Sequence, residues 1–221
     1  MLPGLDGTGL LFRPLIDVLP VTLKPIVINF PSDKKLGYED LVHLVIKELP
    51  RNEPFVLLGE SFSGPLSILV AATQPEGLIG IILCASFITC PQNLVPKWSE
   101  KLVFAIPFRA SSIIVKVSSF FSRYYSDEFK RALSIVKPEV FAHRIKEVIK
   151  VNVVTELETC RLPILYLQGV NDYLVPSSNF ENIKKLKPDI QYAQIESSHM
   201  VLQTKPNEAA RLIQNFIENI N

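Results

Sequence analysis

Phe55-Val56-Leu57-Leu58-Gly59-Glu60-Ser61-Phe62-Ser63-Gly64-Pro65-Leu66-Ser67-Ile68-Leu69-Val70-Ala71-Ala72 reads as a short apolar strand, a tight turn and an apolar helix. A chain that passes this sharply from strand to helix holds its turn residue in a strained backbone conformation. The side chain of that residue projects above the sheet, and the next backbone N–H points toward the helix N-terminus. Small residues are needed two positions to either side. Gly59 satisfies this fully, and Ser63 stands where the usual G-x-S-x-G pattern has glycine. Ser61 is therefore the candidate nucleophile.

Outward from this turn, short apolar runs alternate with amphipathic ones. The runs at 25–30, 55–58, 78–84, 163–168 and 190–195 read as buried strands. The segments 38–49, 64–73, 177–186 and 207–220 read as helices. In the last of these, Ala209, Leu212, Ile213, Phe216, Ile217 and Ile220 fall on one face. Near-continuous apolar strands alternating with helices predict an α/β fold, with a mostly parallel sheet covered on both faces. The stretch 91–159 breaks the rhythm. It is helical in pattern and rich in aromatics (Phe104, Phe108, Phe120, Phe121, Tyr124, Tyr125, Phe129, Phe141), and it lies between two strands. The expected organisation is a core formed by 1–90 and 160–221, with a helical cap inserted at 91–159. Such a cap serves as extra core, as a lid with an apolar underside for an acyl chain, or as both.

Composition narrows the partners. The 23 basic and 22 acidic residues leave a net charge of +1, so no electrostatic argument points to nucleic acid or an anionic membrane. The greasiest segment, 102–121, is interrupted by Pro107, Arg109 and Lys116, which argues against a membrane span. Cys84, Cys90 and Cys160 form no C-x-x-C pair, so neither a zinc site nor a disulfide framework is expected. No basic-then-apolar leader is visible at the N-terminus. These features suit a reducing, cytoplasmic setting.

A serine hydroxyl needs a base, and the base needs a third group to fix its tautomer. Behind this kind of turn the order is serine, acid, histidine. His43 precedes Ser61 on a helix, and His143 sits in the insertion. His199, in the loop Glu196-Ser197-Ser198-His199-Met200 after the last strand, has both the order and the setting. Asp172 follows the strand and turn Ile164-Leu165-Tyr166-Leu167-Gln168-Gly169-Val170-Asn171, at the strand end where α/β sites assemble. It also qualifies as a simple turn former. Glu196 is the second choice and Asp189 the third. An oxyanion hole needs two donors. The N–H of Phe62 is one. The N–H of Leu5, in the glycine-rich loop Pro3-Gly4-Leu5-Asp6-Gly7-Thr8-Gly9, is the other. The glycine spacing there does not fit a dinucleotide loop.

Together, Leu2 to Gly9, Gly59 to Gly64, Gly169 to Pro176 and Ser198-His199 resemble the α/β-hydrolase superfamily, and more narrowly its small bacterial esterases and lipases. The resemblance covers nearly the whole chain except the insertion. It implies a Ser61–Asp172–His199 triad, an acyl-enzyme mechanism, a helical cap, a small-molecule ester substrate and no metal or cofactor. Acyl transfer and thioester hydrolysis would use the same residues. A hydrolase fold that only binds an apolar ligand is the non-enzymatic alternative. In the superfamily the oxyanion loop follows a full strand beside the nucleophile strand, whereas here only Met1 and Leu2 precede Pro3. The expected consequence is an apolar sheet edge with unpaired backbone groups, and lower stability than an N-terminally extended chain. Equal thermal unfolding of the two would contradict this.

Overall fold

The computed structural model describes residues 1–91 and 127–220. Four parallel strands, β1 (Phe55–Glu60), β2 (Leu78–Cys84), β3 (Ile164–Gly169) and β4 (Gln191–Ile195), lie in the order β1-β2-β3-β4. Alternation along the strands splits their side chains between two cores. Leu57, Ile81, Leu83 and Tyr166 face one layer, containing α2 (Tyr38–Glu48), α3 (Ser63–Ala72), α6 (Val154–Thr159) and α7 (Ser178–Leu186). Leu58, Ile82, Leu165, Leu167 and Ile195 face the other, with α1 (Arg13–Ile16), α8 (Val201–Thr204) and α9 (Pro206–Ile220). Both faces are covered, which is why these strands read as nearly continuous apolar runs. A Cβ on Gly80 would come within 2.6 Å of Ile220 Cδ1, so a side chain there would make Ile220 at the end of α9 move aside.

Among the described residues, the segment between β2 and β3 holds α4 (Asp127–Ile135), α5 (Pro138–Lys150) and α6. Leu11 and Met200 of the core join Phe129, Ala132, Val140, Phe141 and Ile145 in a third apolar cluster. Of the aromatic residues expected to line a cap, Phe104, Phe108, Phe120, Phe121, Tyr124 and Tyr125 lie outside the described residues, as does the whole of the 102–121 segment.

One expected strand is corrected. Residues 25–30 form no strand, although Ile28 and Phe30 are buried. A strand needs a neighbour to pair with, and the residues beside this segment are Met1 and Leu2. Met1 N donates to Ile26 O, and Ile28 N donates to Met1 O. On the other side Leu2 bridges Gly59 in parallel, with Leu2 N donating to Leu58 O and Glu60 N to Leu2 O. Past this single bridge the edge of β1 borders an apolar cleft of about 430 Å³, walled by Met1, Leu23, Ile28, Phe55, Leu58 and Ile217 among others.

Candidate active site

Ser61 closes β1 and precedes α3, with φ at +49°. This left-handed conformation is costly for a residue with a Cβ, and the surroundings hold it there. Ser61 N donates to Cys84 O at 2.9 Å, and Ser86 Oγ donates to Ser61 O at 2.6 Å. Tyr38 Oη donates to Phe62 O at 2.9 Å, and its ring stacks on that of Phe62. Glycine is required at 59, because a Cβ would come within 2.3 Å of both Ser63 O and Ser67 Oγ. Ser63, the departure from the usual pattern, is fully buried and donates to Pro3 O at 2.5 Å. Its hydroxyl thus ties the turn to the glycine-rich loop, a bond glycine could not make.

The structure brings Ser61, His199 and Asp172 together. His199 Nε2 is 2.9 Å from Ser61 Oγ, and His199 Nδ1 is 2.8 Å from Asp172 Oδ2. Both His199 and Asp172 are buried. Asp172 Oδ1 accepts from Leu174 N and Val175 N at 3.0 and 2.9 Å, so the turn-former reading of Asp172 also holds. Gln168 Nε2 donates to Val175 O, clipping this loop to the end of β3. The rival acids stand elsewhere: Glu196 is exposed, and Asp189 is an exposed partner of Lys187. His43 is exposed on α2, and His143 is half-buried on α5. Burial pushes the His199 imidazolium down. The charge and hydrogen bond of Asp172, with Glu60 adding to them, outweigh this, so its pKa is raised overall. Among the described residues, no group of three or more His, Cys, Asp or Glu side chains is placed to hold a metal ion.

The glycine-rich loop lies against the nucleophile. A Cβ on Gly4 would sit 3.9 Å from Ser61 Cβ. Gly4, Leu5, Asp6, Glu60, Ser61 and His199 line one small cavity, whose apolar wall is Leu11, Phe129, Leu133, Phe141 and Met200.

Two residues of the site were not singled out from the sequence. Arg144 on α5 is buried and reaches across 138 residues of chain to the loop. A long-range contact of this kind leaves no local sequence signal. Glu60, next to the nucleophile, is also buried and accepts from Gln203 Nε2 at 2.8 Å. Burial, with the charge of Asp6 adding, lifts its pKa from the ordinary 4.5 to about 7, against the hydrogen bond from Gln203 and the pull of His199. A folded-state pKa above the unfolded one means this group's stability contribution is full below about pH 4.5 and is lost as pH rises through about 7. The difference amounts to about 3 kcal/mol. We predict that Glu60→Gln melts roughly 5–10 °C above wild type at pH 8, with the gap closing toward pH 5. Equal melting at both pH values would show that Glu60 is not held protonated by its burial.

Similarity to known proteins agrees with the fold. A hydrolase from Oleispira antarctica superposes with a TM-score of 0.80 at 14% identity, covering 98% of this chain and 89% of that one. A thermophilic esterase from Thermogutta terrifontis superposes with a TM-score of 0.71 at 16% identity, covering 95% and 85%. In sequence, the chain is 21% identical over 203 residues to a pyrrolizixenacetamide deacetylase from Xenorhabdus hominickii, covering 86% of this chain and 76% of that protein. It is 31% identical over 126 residues to the chloroplastic phytyl ester synthase 1 of Arabidopsis thaliana, a match spanning 51% of this chain but only 18% of that protein. The strand-turn-helix at Ser61 and the loops carrying Asp172 and His199 all fall within residues 37–202, which match the family model described as "Serine aminopeptidase, S33". The chain belongs to that family, and the protein is an α/β-hydrolase enzyme.

Proposed function

We propose that the protein cleaves a carboxylic ester of a small molecule through an acyl-enzyme intermediate on Ser61. The observation that carries this reading is the unbroken hydrogen-bonded line Asp172–His199–Ser61, ending on a hydroxyl held at positive φ. His199 Nε2 takes the Ser61 proton as Oγ bonds to the ester carbonyl carbon. The carbonyl oxygen, now negative, is received by the N–H groups of Leu5 and Phe62. The carbon–oxygen bond to the alcohol then breaks, and His199 passes the proton to the departing oxygen. A water molecule, deprotonated in turn by His199, attacks the acyl-enzyme and releases the acid. Asp172 holds His199 in the tautomer this requires.

We assign residues 91–159 to a helical lid inserted into a core of 1–90 and 160–221. In support, α4 to α6 all fall between β2 and β3, and Phe129, Leu133 and Phe141 share a cavity with Ser61. Such a wall suits an apolar acyl group. No helix among the described residues is long and apolar enough to cross a membrane, and three unbridged cysteines suit the reducing environment of the cytoplasm. The match to an ester synthase favours a second reading, acyl transfer to an alcohol, with the same residues and a different acceptor.

A fluorophosphonate probe tests the first reading independently of substrate. It should attach to wild-type protein on the peptide carrying Ser61. A folded protein that stays unlabelled, and that hydrolyses no short-chain chromogenic ester, would overturn the reading. Adding a medium-chain alcohol to the ester assay separates the two acceptors: free acid as the sole product favours hydrolysis, and a new ester favours transfer. The rate should follow neutral His199. Because the pKa of His199 is raised, the acidic limb should have its midpoint above pH 6.5. It should move slightly to lower pH in Glu60→Gln, which removes a carboxyl that becomes charged only as pH nears 7 and then adds to the raising of His199.

A further inference from the structure

Arg144 is a cation with no carboxylate hydrogen-bonded to it among the described residues. Its guanidinium is spent instead on backbone carbonyls of two segments. Nη1 donates to Leu5 O and to Asp6 O, each at 2.8 Å, and Nη2 donates to Pro31 O at 3.0 Å. Only 2% of the residue is exposed. Burial lowers its pKa to about 10, so it remains charged at neutral pH. The guanidinium carbon lies 5.7 Å from the centroid of the Phe30 ring. The loop is shaped around it: a Cβ on Gly7, at φ +66°, would come within 2.5 Å of Nη1.

These contacts act on successive peptide planes. Gly7 N donates to Gly4 O at 3.0 Å, which turns the Gly4–Leu5 peptide so that its N–H faces the opposite way. The next two carbonyls, of Leu5 and Asp6, are the two held by Nη1. Rotation of the Leu5 N–H would therefore break the turn, whose other two peptides are held by the guanidinium bonds. The brace also reaches the second donor. Phe30 N donates to Gly7 O at 2.8 Å, and the Phe30 ring meets that of Phe62 edge-on at 6.2 Å. The loop at Leu5 and the residue after the nucleophile thus share one scaffold, and its keystone comes from a helix in the insertion.

We propose that Arg144 is a positioning residue that holds the Leu5 N–H in place to receive the negative oxygen of the transition state, and so couples the inserted helices to catalysis. This rests on the reading of Ser61 as the nucleophile. A preorganised donor matters most in the transition state, so its misplacement lowers the chemical rate more than substrate binding. A purely structural arginine would lower stability without this selectivity.

The test compares wild type with Arg144→Met, Arg144→Lys and Arg144→Ala, each checked for folding by circular dichroism and melting. The substrate is a short-chain chromogenic ester, the probe is a fluorophosphonate, and a trifluoromethyl ketone serves as the oxyanion mimic. In Arg144→Met, kcat, the labelling rate and affinity for the ketone should all fall about 10²-fold, with KM changing little. Arg144→Lys, which retains the charge without the fork, should fall between Met and wild type. Millimolar guanidinium, far below denaturing levels, should restore part of the rate in Arg144→Ala. If Arg144→Met does not fold, the lysine and alanine variants decide. Wild-type kcat in a folded variant, or losses confined to KM or to the amount of folded protein, would overturn the role of Arg144 while leaving Ser61 as nucleophile. If wild type itself is neither labelled nor active, the underlying reading fails first and takes this one with it.

Discussion

Ser61→Ala should lose on the order of 10⁶-fold in turnover of a short-chain ester and all covalent labelling by fluorophosphonate, while keeping its fold. Among the described residues the hydroxyl makes one hydrogen bond, to His199 Nε2, and the turn is held by backbone and neighbouring side chains that the substitution does not touch. Its melting temperature should therefore stay within a few degrees of wild type. Ser61→Gly sharpens the test. Glycine in an ordinary helix or strand costs roughly 0.5–1 kcal/mol relative to alanine. At φ +49°, however, the absent Cβ removes a strain of about 1–2 kcal/mol. Ser61→Gly should thus be as inactive as Ser61→Ala and at least as stable. Equal ester turnover by wild type and Ser61→Ala, at matched folding, would sink the nucleophile assignment and leave the catalytic centre to be sought elsewhere on the molecule.

Much of the candidate site was legible because its parts carry local signals. Gly59 and Ser61 stand at a strand-to-helix switch. Asp172 and His199 each follow a strand, in an order that the turn type demands. The fold was legible because strands buried on both faces must be apolar throughout, as Leu57-Leu58, Ile81-Ile82-Leu83 and Leu165-Tyr166-Leu167 are. What escaped reading depends on tertiary contacts. Residues 25–30 have the apolar content of a strand, yet strand pairing is decided by a neighbour, and what Met1 offers them is a pair of hydrogen bonds, to Ile26 O and from Ile28 N. Ser63 reads as an imperfect glycine until Pro3 O is found within reach of its hydroxyl. Arg144 sits in a helix with an ordinary amphipathic pattern, where an arginine reads as a surface residue. Its burial follows from carbonyls 113 to 139 positions away in the chain. Glu60 reads as the variable second position of the turn, and only the packing of Gln203 against it reveals a buried carboxyl.

Asp172→Asn should cost about 10⁴-fold in kcat, and the hydrogen bonds around the residue say why the loss is that large. Oδ1 accepts two backbone N–H groups, from Leu174 and Val175, while Oδ2 meets His199 Nδ1. An asparagine in this place has one oxygen and one NH₂. Turning the NH₂ toward Leu174 and Val175 would set donors against donors and leave one buried and one half-buried N–H group without an acceptor, at roughly 1–3 kcal/mol for the buried one. The amide will therefore keep its oxygen on the backbone and present its NH₂ to His199. That contact requires Nδ1 to accept, which moves the imidazole proton to Nε2. The ring then faces Ser61 Oγ with a donor where a base is needed, and the distances of the site are preserved while its chemistry is lost. The loss should appear in kcat with KM little changed. The imidazole pKa should also fall, since Asp172 supplies the largest of the effects that raise it, and this can be followed by NMR titration of the His199 ring. A variant that kept a tenth or more of the wild-type rate would mean that Asp172 does not fix the His199 tautomer, and Glu60, the other carboxyl whose charge raises the pKa of His199, would become the group to test.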